Sequence, residues 1–201
     1  MALPRFSVTW DYLCPFARNA HEHLMTALEG GAAWDVTFTP FSLMQAHVDE
    51  GETPVWEQAE KPRGLLALEA GVAVRDRFAD RFLAVHRALF AARHDEGRDL
   101  SDPAVVRDVL AASGVPADEV LEQMDEGWPL EEVRRSHEAA VVDHHVFGVP
   151  TFVIGDQAVF VRLMTRPAGD AELARATIER VVGLVVDHPE INELKHTTVS
   201  R

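Results

Sequence analysis

The sequence has few of the residues that build covalent, cationic or membrane-spanning sites. Only one of its 201 residues is cysteine, Cys14, which excludes an internal disulfide and a cysteine-rich zinc site. The chain has 19 lysines and arginines but 33 aspartates and glutamates. The resulting net charge of −14 argues against nucleic-acid binding, which needs clustered cations. No run of about eighteen apolar residues occurs, and residues 1–10 hold no signal-peptide segment. We therefore expect a cytoplasmic protein with no membrane contact.

The residues that are present indicate a folded globular chain. Apolar residues make up 47% and charged residues 26%, which is enough apolar side chain for a substantial core. The length fits one domain, or one domain that carries a large insertion.

The first forty residues predict a strand, a helix and a second strand. Residues 5–10 alternate apolar and polar side chains. A helix is expected over 15–29, with Pro15 in its first turn and Gly30 as its stop. Residues 34–41 alternate again, which completes a parallel crossover unit.

A helical block follows from about residue 53 to 145, and strand character returns at 151–154 and 158–161. A last helix is expected over about 170–186. This order predicts a small mixed sheet with a helical insertion. One apolar face of the block is marked at helical spacing by Phe78, Phe82, Val85, Leu89 and Phe90.

Cys14 stands between the first strand and the first helix, which predicts an N-cap position. There its sulfur would meet unpaired backbone N–H groups and the positive end of the helix dipole. We therefore expect a thiol pKa well below the ordinary value of about 8.5. Asp11 is expected to cap the helix or to tune the thiol.

A proline precedes the third strand. The bond between Val149 and Pro150 is a candidate for the cis isomer, with a trans loop proline as the alternative. The histidine pairs His21 with His23 and His144 with His145 lack the i, i+4 spacing of metal ligands, so no metal is expected.

Cys14 at a helix start and Pro150 before a strand together resemble the thioredoxin superfamily, and the helical block resembles its DsbA-like branch. Within that branch the sequence is similar to mycothiol-dependent reductases. Four segments carry this similarity: Trp10-Asp11-Tyr12-Leu13-Cys14-Pro15-Phe16, Arg135-Ser136-His137, Gly148-Val149-Pro150-Thr151 and Glu193-Leu194-Lys195-His196-Thr197.

The resemblance implies an α/β thioredoxin fold with a DsbA-like helical insertion. Residues 1–52 and 146–201 would form the thioredoxin-like domain, and residues 53–145 the inserted one. It implies thiol oxidoreductase or thiol transferase activity, with Cys14 and Pro150 at the catalytic site. The residues expected to bind thiol or substrate are Trp10, Asp11, Pro15, Phe16, Ala17, Val149, Thr151 and His137.

The sequence departs from this family where a resolving cysteine is expected, because Ala17 stands there. An internal dithiol cycle is excluded, so a small-molecule thiol, mycothiol or glutathione, is the expected co-substrate. In this respect the sequence also resembles kappa-class glutathione transferases and 2-hydroxychromene-2-carboxylate isomerases, which use a bound thiol.

Three questions stay open in the sequence. The chain is a monothiol enzyme acting on a small molecule, or a binding protein that kept the groove without turnover. A homodimer is a candidate assembly. Trp10, Phe16 and Phe41 form an apolar wall of the site or belong to the core, and His137 approaches the site or lies on a solvated helix face.

Overall fold

The computed structural model describes residues 5–196, which form a four-stranded mixed sheet. Strand β1 (Phe6–Trp10) is parallel to β2 (Val36–Pro40) and antiparallel to β3 (Thr151–Ile154). Strand β4 (Gln157–Phe160) pairs with β3 as a hairpin at the edge of the sheet. The order β2-β1-β3-β4 is that of the thioredoxin fold, as the sequence predicted.

Helices account for most of the rest of residues 5–196. Five of them, α2 to α6, lie between β2 and β3, which confirms the helical block. None of the helices described has the length and apolarity to cross a membrane. The division into a domain of residues 1–52 with 146–201 and a domain of 53–145 stays a prediction. The helices are α1 (Pro15–Glu29), α2 (Leu65–Arg77), α3 (Phe82–His94), α4 (Pro103–Ala112), α5 (Ala117–Asp125), α6 (Trp128–His144) and α7 (Ala171–Asp187).

The apolar face predicted from Phe78 to Phe90 is divided between two helices. Helix α2 ends at Arg77, and Phe78 leaves the helical region with φ −131° and ψ 49°. Helix α3 begins at Phe82. Phe78 still packs on the core. Apolar residues on both sides of the turn therefore keep a helical spacing, and the sequence pattern does not show that one helix ends and another begins.

Helix α1 has clear start and stop signals. Cys14 is its N-cap and Pro15 its first residue, where a missing N–H costs no hydrogen bond. At its other end the N–H of Gly30 donates to the carbonyl of Thr26 at 3.0 Å. A Cβ added to Gly30 would lie 2.5 Å from the Cβ of Ala171, so the start of α7 packs against the end of α1.

One face of β1 is apolar and the other is polar. Phe6, Val8 and Trp10 are at most 2% exposed, whereas Ser7 and Thr9 alternate with them along the strand. The apolar face packs on the helical insertion as well as on α1, because the rings of Trp10 and Phe82 are 6.0 Å apart. The insertion therefore belongs to the same core as the sheet.

Four charged side chains hold two loops against α1. Arg18 pairs with Glu22 of the same helix at 3.0 Å and with Asp95, which follows α3. Arg166, from the loop after β4, approaches Glu22 at 3.4 Å and Asp95 at 3.5 Å. Because the Arg18 side chain is only 9% exposed, solvent screens this network less than it screens surface pairs.

Gly71 of α2 leaves room for the phenol of Tyr12, since an added Cβ would lie 2.5 Å from Tyr12 Oη. We expect Gly71→Ala to lower the free energy of unfolding by about 1–3 kcal/mol, because overpacking outweighs the gain of alanine in a helix. Denaturant titration measures this loss. In a Tyr12→Phe background the cost should be smaller, because the hydroxyl is absent, and equal costs in both backgrounds would contradict the contact.

Candidate functional site

Cys14 lies at the junction of the β1 loop and α1. Its backbone is extended, with φ −93° and ψ 118°, and its Sγ accepts a hydrogen bond from the N–H of Ala17 at 3.4 Å. This confirms the predicted N-cap position. The backbone N–H of Cys14 donates to the carbonyl of Asp11 at 3.1 Å, which closes the loop before the helix.

The loop before β3 faces this sulfur. The peptide bond between Val149 and Pro150 is cis, as predicted. The Cys14 S–H donates to the carbonyl of Val149 at 3.2 Å. Thr151 fixes the loop on both sides, because its N–H donates to Thr9 Oγ1 at 2.8 Å and its hydroxyl to the carbonyl of Gly148 at 2.8 Å.

The expectation of a lowered thiol pKa at Cys14 is wrong. Burial raises the pKa of Cys14 and the Asp11 carboxylate raises it further, against the N–H groups of Ala17 and Phe16, which lower it. The sulfur is removed from water, as Cys14 is 8% exposed. Ionisation would also cost the S–H hydrogen bond to Val149. The resting site therefore holds a neutral thiol.

Asp11 does not cap α1, contrary to expectation. Its two carboxylate oxygens accept from the N–H groups of Leu13 at 2.9 Å and Leu43 at 2.8 Å, neither of which lies in the helix. Burial raises the pKa of Asp11 to about 6, and these two hydrogen bonds oppose the shift. Asp11 thus joins the loop after β2 to the loop that carries Cys14.

A chain of buried hydrogen bonds lies beneath the same loop. Tyr12 Oη is 2.8 Å from His86 Nδ1, His86 Nε2 is 2.9 Å from His21 Nδ1, and His21 Nε2 is 3.1 Å from the carbonyl of Thr9. A carbonyl only accepts, so each neutral imidazole must donate through Nε2 and accept at Nδ1, and Tyr12 donates its phenol hydrogen. Burial lowers the pKa of His21 to about 4 and that of His86 well below its usual value, which keeps both neutral.

Sequence reasoning missed His86 and His94 of the helical insertion. His94 Nε2 lies 2.9 Å from the carbonyl of Tyr12, so α3 holds both ends of this residue. The position of His86 in the sequence could have indicated that it is buried. It falls on the apolar face of α3, one turn after Phe82 and one turn before Phe90.

Two predicted binding residues, Trp10 and His137, and the candidate wall residue Phe41 are buried in the core. Trp10 and Phe41 are 0% exposed. His137 is 5% exposed, which corrects the solvated-face interpretation. Its ring lies 4.2 Å from that of Phe41 and 5.6 Å from that of Trp56, and burial lowers its pKa to about 4. Its described contacts are therefore with aromatic rings of the core.

The remaining predicted residues border Cys14 in the first turn of α1. Pro15 is exposed, Phe16 is half-buried and Ala17 is fully buried. Of the similar tail, residues 193–196 are irregular, and Thr197 lies outside the described residues. In the range 5–196 no three histidine, cysteine or acidic side chains gather as a metal site would need.

The helix-start cysteine and the cis-proline loop belong to a known family pattern. A model of the DSBA-like thioredoxin domain matches residues 7–165. The chain belongs to this family. A DSBA-like thioredoxin domain therefore surrounds the site from β1 to the loop after β4, and the sequence resemblance to the DsbA-like branch is confirmed at that level.

Similar proteins agree with this assignment. The uncharacterized protein Rv2286c of Mycobacterium tuberculosis is 27% identical over 187 residues, covering 92% of this chain and 79% of its own. The cytosolic disulfide reductase DsbM from Pseudomonas aeruginosa, solved with GSH, has a TM-score of 0.59 at 17% identity, covering 89% of this chain and 98% of that one. Reduced DsbA1 from Neisseria meningitidis has a TM-score of 0.59 at 16% identity, covering 92% and 86%. At such identities the two structures show the DSBA-like fold alone.

The raised thiol pKa of this DSBA-like domain can be measured by alkylation. Because only the thiolate reacts, the rate of iodoacetamide addition to Cys14 should rise with pH to a midpoint above that of an ordinary cysteine. Mass spectrometry follows the adduct, and urea-unfolded protein provides the ordinary midpoint. Asp11→Asn removes a neighbouring negative charge and should lower the midpoint. A native midpoint below that of the unfolded chain would mean that the helix N-terminus outweighs burial.

Proposed function

We propose that the protein is a monothiol oxidoreductase that exchanges disulfides through Cys14 with the help of a small-molecule thiol. One observation carries the proposal: the Cys14 sulfur lies at the N-cap of α1, in hydrogen-bond contact with the cis-proline loop. The family is one of thiol oxidoreductases. Because the chain has no second cysteine, the co-thiol must resolve the mixed disulfide.

The exchange has two steps. The Cys14 thiolate attacks one sulfur of a mixed disulfide between substrate and co-thiol, forms a Cys14 disulfide with the co-thiol, and releases the substrate as thiolate. A second co-thiol, as thiolate, then attacks this disulfide at the co-thiol sulfur. Cys14 leaves as thiolate and the two co-thiols leave as their disulfide. In total, the mixed disulfide and one co-thiol thiolate become the substrate thiolate and the co-thiol disulfide, so one S–S bond is broken and one is formed.

The site must deprotonate Cys14 before the first step. In the resting state its S–H donates a hydrogen bond to the carbonyl of Val149, and burial disfavours the thiolate. A substrate that enters the contact between Cys14 and Val149 would break this hydrogen bond and leave the N–H of Ala17 bonded to the sulfur. Thiolate formation would then accompany substrate binding.

The neutral thiol supports a second candidate. In this mechanism Cys14 keeps its proton and donates an S–H hydrogen bond to the thiolate of a bound co-thiol. The S–H already donates a hydrogen bond at 3.2 Å in the resting site. In that case the co-thiol attacks the electrophile, and Cys14 forms no covalent bond.

The same proposal indicates which small-molecule thiols could act as the co-thiol. The residues similar to mycothiol-dependent reductases make mycothiol the first thiol to assay and glutathione the second. A free, unpaired cysteine is typical of a reducing compartment, so we propose the cytoplasm as the location.

Cys14→Ser separates the two mechanisms. If Cys14 attacks covalently, the serine variant should lose thiol-dependent disulfide reduction, by about a hundredfold or more, because a hydroxyl stays protonated near neutral pH. If the co-thiol attacks, the serine hydroxyl can still donate and most activity should remain. The assay couples reduction of a mixed disulfide to release of a chromophoric thiol. Full activity of both Cys14→Ser and Cys14→Ala with each co-thiol would remove Cys14 from the function.

Ala17→Cys tests whether the site is a dithiol site that lacks one sulfur. Residue 17 is buried beside Cys14, with its N–H 3.4 Å from Sγ. We expect the variant to form a disulfide under mild oxidant and to reduce disulfides without a resolving co-thiol. Thiol counting before and after oxidation measures the bond.

Ala20→Cys is the matched control, since Ala20 is equally buried in the same helix. Six residues of α-helix rise about 9 Å, which is beyond disulfide reach, so this variant should keep two free thiols. Failure of Ala17→Cys to oxidise would show that the first turn of α1 differs from that of a dithiol site.

A further inference from the structure

Arg162 follows a residue that is hydrogen-bonded to the cis-proline loop, and its side chain contacts the first turn of α1, which forms the rim of the Cys14 site. The N–H of Val161 donates to the carbonyl of Pro150 at 3.1 Å, which fixes the chain just before Arg162. From there the guanidinium reaches across to α1, where its Cζ is 5.3 Å from the centroid of the Phe16 ring. Phe16 is two residues from Cys14, so the cation covers the first turn of the helix that bears the thiol.

This guanidinium has no acidic partner among residues 5–196, whereas its neighbours do. Arg18 and Arg166 are both tied to Glu22 and Asp95. The ion pairs described for the chain do not include Arg162, which is exposed. The first turn of α1 holds no acidic residue either. Arg162 is therefore a free cation on a chain whose net charge is −14.

We propose that Arg162 binds a carboxylate of the disulfide substrate that reacts at Cys14, so that the site selects small anionic disulfides. This inference rests on the proposed function. The overall charge repels an anion from most of the surface, and a free guanidinium at the rim offsets that repulsion where the sulfur is reached.

The geometry suits a carboxylate in particular. A guanidinium presents paired N–H donors in one plane, which matches the two oxygens of a carboxylate. The contact with Phe16 restrains the group while its donors stay open to solvent, so little side-chain entropy is lost on binding.

The test compares two disulfide reagents on the same thiol. Dithiobis(nitrobenzoate) carries two carboxylates, and dithiodipyridine carries none. We expect Arg162→Gln to slow the reaction of Cys14 with the first reagent by about fivefold and to leave the second unchanged. Arg162→Lys should keep part of the preference, and Arg162→Glu should reverse it. In about 1 M salt the difference should vanish, because charges are then screened within about 3 Å.

Arg175→Gln is the charge-matched control. Arg175 begins the second turn of α7 and follows Ala174. Ala174 packs with Ala27 and Ala32 at the end of α1 that is far from Cys14. This variant should leave the ratio of the two rates unchanged. The same ratio in Arg162→Gln as in the unaltered protein would overturn the inference. Absence of reaction with either reagent in the unaltered protein would instead count against the proposed function.

Discussion

The hydrogen bond from the Cys14 thiol to the carbonyl of Val149 is the contact on which the site depends. It joins the start of α1 to the cis-proline loop, two segments that are 135 residues apart in sequence. A thiolate could not make this hydrogen bond, so the contact and the burial of Cys14 both favour the neutral thiol. A ligand that binds the sulfur from this side must replace the contact with Val149.

The helical insertion makes direct hydrogen bonds to the loop that carries Cys14. His86 and His94 of α3 bond the phenol and the carbonyl of Tyr12, the residue two before Cys14. His21 continues the chain of hydrogen bonds back to β1. Because every buried polar atom on this path has a partner, displacing Tyr12 would leave several unsatisfied groups. The insertion therefore restrains the loop that presents the thiol.

Local sequence signals predicted the elements that position the sulfur. A strand followed by Cys14, Pro15 and a glycine-terminated helix indicated an N-cap cysteine, which is encoded by the backbone preferences of a few neighbouring residues. The proline before the third strand left the cis and trans isomers open, and the resemblance to the thioredoxin superfamily favoured the cis bond that the structure has. The break at Phe78 was missed because its apolar spacing continues across the turn.

The sequence by itself determined that the chain has a single thiol and that this thiol stands at a helix start, and its family resemblance indicated a DsbA-like thioredoxin fold with a helical insertion. Only the tertiary structure decided the sign of the thiol pKa shift, because burial and the Asp11 carboxylate depend on segments distant in sequence. It likewise placed His137 against Phe41 and Arg162 against Phe16. Helix-dipole effects are local and can be read from sequence, whereas desolvation depends on what the whole chain packs around a group.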